Sequence, residues 1–69
     1  MNQCICIEAA RAALARASWV RGQAPAYGED AIIDLLADIR LWCEEAGLDF
    51  SRCSHLAWVF HAGSEGAAS

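Results

Sequence analysis

Residues 29–50 read EDAIIDLLADIRLWCEEAGLDF, and the spacing within this stretch decides the fold class. At 100° per residue, Ile32, Leu35, Leu36, Ile39, Trp42, Cys43 and Ala46 fall on one broad face. Asp30, Asp34, Asp38, Glu44 and Glu45 fall on the other. That pattern is an amphipathic helix with an apolar stripe wide enough for a packed core. Glu29 and Asp30 occupy its first turn, where the helix dipole favours negative charge. Gly47 follows the last periodic residue, at the place a left-handed terminating residue is wanted.

Outward from this helix the chain offers two more. Residues 3–21 repeat Ile7, Ala10, Leu14 and Ala17 at three- and four-residue spacing in an alanine-rich context that favours helix. The CICI segment at 4–7 alternates with period two and is compatible with a short strand, but no second strand candidate exists to pair with it. GQAPAYG, residues 22–28, forms a linker. Gly22 ends the first helix, Pro25 cannot continue one and Gly28 allows a turn. Tyr27 is expected to pack on the helix that follows. After Gly47, Asp49 or Ser51 can cap a third helix over about 51–62. Cys53, Leu56, Ala57 and Phe60 give that helix a buried face, and Trp58 falls opposite, near Ser51, His55 and Ala62. GSEGAAS, residues 63–69, is expected to be a disordered tail.

These elements predict an all-α fold: a single helical domain over residues 1–62, three helices with the amphipathic one in the centre. Sixty-nine residues make a small core, and chains of this size are marginally stable without a staple or a partner. The large core candidates are Ile5, Ile7, Leu14, Trp19, Val20, Ile32, Leu35, Leu36, Ile39, Trp42, Leu48, Phe50, Leu56 and Phe60. A homodimer would relieve the shortage and is left open.

The net charge is −4, and all five basic residues are arginines. General attraction to nucleic acid or to an anionic membrane is not expected of such a chain; a basic protein surface suits it better. The first 17 residues lack the basic start and unbroken apolar run of a secretory signal, and no stretch has the length of a membrane span. A cytoplasmic protein is expected, with its four cysteines as thiols.

Several constellations carry chemistry on paper. Asp30, Asp34 and Asp38 stack at four-residue spacing, Glu45 returns to the same side, and Leu41 projects into the middle of the row. Like charges so spaced cost an isolated helix about 0.2–0.5 kcal/mol per pair. An apolar side chain ringed by carboxylates resembles the centre and rim of a protein interface. The bland reading is a solvated face with one stray leucine. Trp58, with His55 one turn before it, is a candidate aromatic anchor, or else it packs on the first helix. Cys4, Cys6, Cys43, Cys53, His55 and His61 are enough ligands for zinc but lack its C-x-x-C spacing. The sequence therefore implies no metal and no cofactor. A Cys43–Cys53 disulfide across the turn is an alternative to buried thiols. No catalytic signature accompanies the cysteines and histidines, so no enzyme is expected. Cys43, Gly47, Leu48, Cys53 and Leu56 match the small–Gly–apolar spacing of a helix-turn-helix, with Arg52, Ser54, His55 and His61 directed outward. One arginine is little to grip a phosphate backbone.

At Asp34, Leu35, Leu36, Asp38, Ile39, Arg40, Trp42, Cys43, Gly47, Leu48, Asp49 and Phe50 the chain resembles small uncharacterised proteins of phages and integrative elements from GC-rich proteobacteria. These share a D-L-L-x-D-[IL]-R-x-[WF]-C-x-x-x-G-L-D-F pattern. In them the following segment is acidic and tyrosine-rich; here it is SRCSHLAWVFHAG, so the exposed face differs. The resemblance implies a mobile-element origin and names no activity.

Together the acidic row and the resemblance lead to an expected function. The chain would be a protein-binding inhibitor of a host defence complex, of the anti-CRISPR type, acting in the cytoplasm of a bacterial host. It would occupy a basic nucleic-acid-binding or recruitment surface, on a CRISPR–Cas subunit in the sharpest version. Asp30, Asp34, Asp38, Leu41, Glu44 and Glu45 would make the contacts, with His55 and Trp58 as a second anchor. The alternatives are a small helix-turn-helix DNA-binding regulator and a structural homodimer.

Overall fold

A computed structural model describes residues 3–68, with side chains placed for residues 3–60. The fold is all-α: α1 (Gln3–Val20), α2 (Glu29–Ala46) and α3 (Phe50–Ala68) follow one another, and no strand occurs among the described residues. CICI lies inside α1, so alanine-rich helix propensity prevails over the local period of two.

The helix ends follow from local chemistry. Gly22 and Gly47 both take left-handed backbone, φ 72° and 73°, which costs a residue without Cβ little. At the end of α1 the Gly22 N–H donates to the Trp19 carbonyl at 3.0 Å, and the Gln23 N–H to that of Ser18 at 2.9 Å. The end of α2 repeats the pattern: Gly47 N–H to the Glu44 carbonyl at 3.4 Å and Leu48 N–H to that of Cys43 at 2.8 Å. Both are the paired six-to-one and five-to-two bonds that satisfy orphan carbonyls at a glycine-terminated helix. The start of α3 is capped by Asp49, whose Oδ1 accepts from the Arg52 N–H at 3.0 Å.

The third helix differs from the expected one in length. It begins at Phe50 and continues to Ala68, through residues 63–68, which were expected to form a disordered tail. Each added residue closes one more backbone bond at little cost, and the segment contains no proline to stop it, only Gly63 and Gly66. Ser69 and the side chain of His61 lie outside the described residues.

The sequence pointed to one domain over 1–62. The described chain groups into two compact units, Met1–Asp38 and Ile39–Ser69, and the division falls within α2.

In the first unit α1 and the beginning of α2 run in the same direction. Tyr27 lies under the Arg11 guanidinium, 5.7 Å from Cζ to ring centroid. Further along, Leu14, Ala17 and Ser18 share a cleft with Asp30, Ala31 and Asp34. Beyond that, Arg21 is ion-paired with Asp38. Contact positions therefore rise together on both helices. The extended segment after Gly22 carries the chain back along α1. Ten helical residues between Arg11 and Arg21 span about 15 Å, and six extended ones can span about 20 Å. Tyr27 thus meets α1, beside Arg11 and the groove lined by Ile7, Ala10 and Leu14, because the linker has returned to the middle of α1 before α2 begins.

Few large side chains are enclosed. Leu14 and Cys43 are the buried hydrophobic residues among those described, and Ser18 is buried with them. Leu35, Phe50 and Leu56 are half-buried. The other expected core residues, including Ile32, Leu36, Ile39 and Trp42, are exposed. In the first unit the reason is geometric. α1 meets the flank of α2 that carries Ala31, Asp34 and Asp38, where small Ala17 and Ser18 permit close approach, and the centre of the apolar stripe stays open.

Candidate functional site

The acidic row separates into two parts. In the first unit its members turn toward α1. Asp38 is bound by Arg21, and Asp30 and Asp34 line a small cleft of about 110 Å³ with Leu14, Ala17, Ser18, Arg21, Gln23, Ala26 and Ala31. The amphipathic wheel assigned these three carboxylates to a free outer face; they border the α1 seam instead. Arg21 was the missed residue. Its signal was present in the sequence, because Arg21 follows Leu14 and Ala17 at seven- and four-residue spacing on the face that α1 presents.

In the second unit the row keeps its outward aspect. Leu41 is 55% exposed and Trp42 63%. Glu45 follows Leu41 by four residues and Trp42 by three, so its carboxylate stands one turn above both. Glu44 is exposed as well and accepts a 2.9 Å hydrogen bond from Arg40 Nη1 at i,i+4 spacing. Leu41 and Trp42 point about 100° apart around the helix, with Glu45 between them one turn on, so each is an exposed apolar side chain beside a carboxylate. Leu41 was read from the sequence as the centre of the acidic row. Trp42 was assigned to the core and joins the surface, because its direction on the wheel lies at the edge of the stripe, next to Leu41's side.

Trp58 and His55 are both exposed on α3, three residues apart, and Trp58 at 74% is the most exposed of the large apolar side chains described.

The helix-turn-helix candidate has the right connection, Gly47–Asp49 between α2 and α3. Its packing is another matter. Cys43 is buried and Leu56 half-buried, but Leu48 and Cys53 are exposed, where the motif would hold them in its core. The Asp49 carboxylate occupies the amino end of α3, placing negative charge where a DNA phosphate would approach.

Cys43 and Cys53 carry free thiols. No group of three or more His, Cys, Asp or Glu among the described residues is placed to hold a metal ion. No helix of the described chain is long and apolar enough to cross a membrane. The first unit also has a shallow apolar groove of about 380 Å³ between Ile7, Ala10, Leu14, Arg11 and Tyr27. No protein-family model, no curated protein and no solved structure matches the chain.

Proposed function

We propose that the chain acts by binding another protein, through a contact on the end of α2 that takes in Leu41 and Trp42, with Glu45 between them and Glu44 on the other side of Leu41. The observation that carries this reading is the exposure of Leu41 and Trp42 beside carboxylates on one helix. Two large apolar side chains held in water are a standing cost that a partner's pocket removes, at roughly 1.5–3 kcal/mol per fully buried side chain. Aromatic and aliphatic anchors with a polar rim are the usual anatomy of a binding hot spot.

Charge selects the kind of partner. α2 carries Glu29, Asp30, Asp34, Asp38, Glu44 and Glu45 against Arg40. Such a helix is steered toward a basic surface and away from an acidic one. The partner of best fit is a protein with an apolar socket edged by arginine or lysine. Binding is proposed in place of catalysis, and in place of duplex recognition, which the exposed Leu48 and the Asp49 carboxylate disfavour.

The narrower proposal is an anti-CRISPR-type inhibitor in a bacterial cytoplasm, which rests on the sequence resemblance and on this acidic helix. Its test is expression of the chain in bacteria whose CRISPR–Cas system clears a targeted plasmid. Retention of the plasmid is the expected result; clearance at full expression of the chain refutes the narrower proposal.

A further inference from the structure

We infer that the cleft between α1 and the beginning of α2 is a subsite for one primary ammonium group, held by Ser18, Asp30 and Asp34. Ser18 is what distinguishes this cleft from a gap beside two acids. It is 7% exposed, and its side chain makes no hydrogen bond among the described residues. Its hydroxyl oxygen is not sealed off by its neighbours and opens into the cleft that Ser18 lines. Polar groups this deeply covered are satisfied in nearly all folded proteins. Here the lone pairs of the hydroxyl are presented to a donor from outside the chain.

Asp30 and Asp34 line the same cleft. Neither has a cationic partner among the described residues, because Arg21, which also lines it, is engaged by Asp38. Four residues apart on one helix, the two side chains stand about 5–6 Å from Cβ to Cβ and repel each other. A cation between them replaces that repulsion with two attractions.

Size and donor count select the kind of cation. The cleft measures about 110 Å³. That is well below the roughly 300–1,000 Å³ of a site for a drug-sized ligand, and several times the roughly 30 Å³ share of one water. It suits a single head group with its first carbons, which Ala17, Ala26 and Ala31 would flank. A hard divalent ion such as calcium takes about six to eight oxygens, and no group of three or more acidic, His or Cys side chains among the described residues is placed to hold a metal. A quaternary ammonium is recognised by aromatic faces, and none lines this cleft. A primary ammonium carries three donors, which match one hydroxyl and two carboxylates. It can arrive on a free alkylamine or on the lysine of a protein. The second source would add to the α2 contact proposed above, but the subsite does not rest on that contact.

The test is titration of the isotope-labelled full chain, followed by its amide chemical shifts at constant ionic strength. The probes are n-butylammonium, Nα-acetyl-lysine N-methylamide, and tetramethylammonium, which has the charge and no N–H. The expected result is saturable binding of n-butylammonium in the millimolar range, with the largest shifts at Ser18, Ala31 and Asp34, and no such shifts with tetramethylammonium. Asp34→Asn, at an exposed position, and Ser18→Ala should each weaken binding by about threefold or more. Binding of the lysine probe as well admits a protein's lysine to the subsite; binding of the free amine alone confines it to small amines. Shifts that never saturate, that tetramethylammonium reproduces, or that persist at full affinity in both variants would overturn the inference.

Discussion

Arg21, just past the end of α1, is ion-paired with Asp38 in the third turn of α2, seventeen residues further on. Together with Arg11 over Tyr27, this pair sets the direction in which α2 lies along α1. It also removes one carboxylate from the set available to a partner. Both side chains keep more than a third of their surface in water, so screening limits the value of the pair to about 0.2–1 kcal/mol. Arg21→Ala and Asp38→Asn should each lower stability to urea by that amount. The double variant should lose little more than either single one, and the coupling should shrink in high salt. Additive losses in the cycle would show that the pair contributes nothing.

Asp49 is the cap on which α3 begins. Asp49→Ala should cost about 1 kcal/mol, within the usual range of roughly 0.5–2, by leaving the Arg52 N–H without its acceptor. Asp49→Ser should recover most of the loss. Urea denaturation of the three proteins checks both statements.

The two left-handed glycines should respond alike. An added Cβ at Gly22 or Gly47 meets no atom within 4 Å, so the cost of Gly→Ala is purely that of the backbone, about 1–2 kcal/mol each. Gly28, whose backbone is not left-handed and whose Cβ position is also open, serves as the control. Gly28→Ala should stay within about 0.5 kcal/mol of the parent. Equal effects at all three sites would contradict this account of the helix ends.

Those helix ends were legible in the sequence because their causes are local. A glycine at the left-handed position and an aspartate three residues before an N–H act within one turn, and neither depends on what the helix packs against. The all-α class followed from periodicity in the same way. The direction of α2 was not legible, because Tyr27 and the residues before it fit either a tight reversal or a return along α1. Burial was the hardest to read. The wheel ranks Ile32, Leu36 and Ile39 as most apolar, yet α1 docks on the flank with Ala31, where Ala17 and Ser18 leave room and Arg21 finds Asp38. That choice lies in the tertiary contact between two helices and not in either one. The exposure of Leu41 was legible because its anomaly, an apolar residue among acids, is visible on a single helix, and that of Trp42 was not, for want of that contrast.

Duplex DNA offers a direct contrast between the competing readings. With Leu48 and Cys53 exposed and Asp49 at the amino end of α3, no specific, steeply salt-dependent duplex binding is expected. Arg52→Ala should leave whatever weak retention remains unchanged. Fluorescence anisotropy over a salt series measures both, and a steep slope that Arg52→Ala reduces would restore the helix-turn-helix reading.

The central claim is that Leu41 and Trp42 form a protein-binding surface. Its most direct measurement is affinity capture from nuclease-treated bacterial lysate, comparing the parent chain with Leu41→Asp. The substitution sits on an exposed position and should change stability by no more than about 0.5 kcal/mol, so the two baits are equally folded. The predicted result is a stoichiometric protein partner held by the parent and lost, or weakened by about tenfold or more, with Leu41→Asp. A partner retained equally by both baits would contradict the claim.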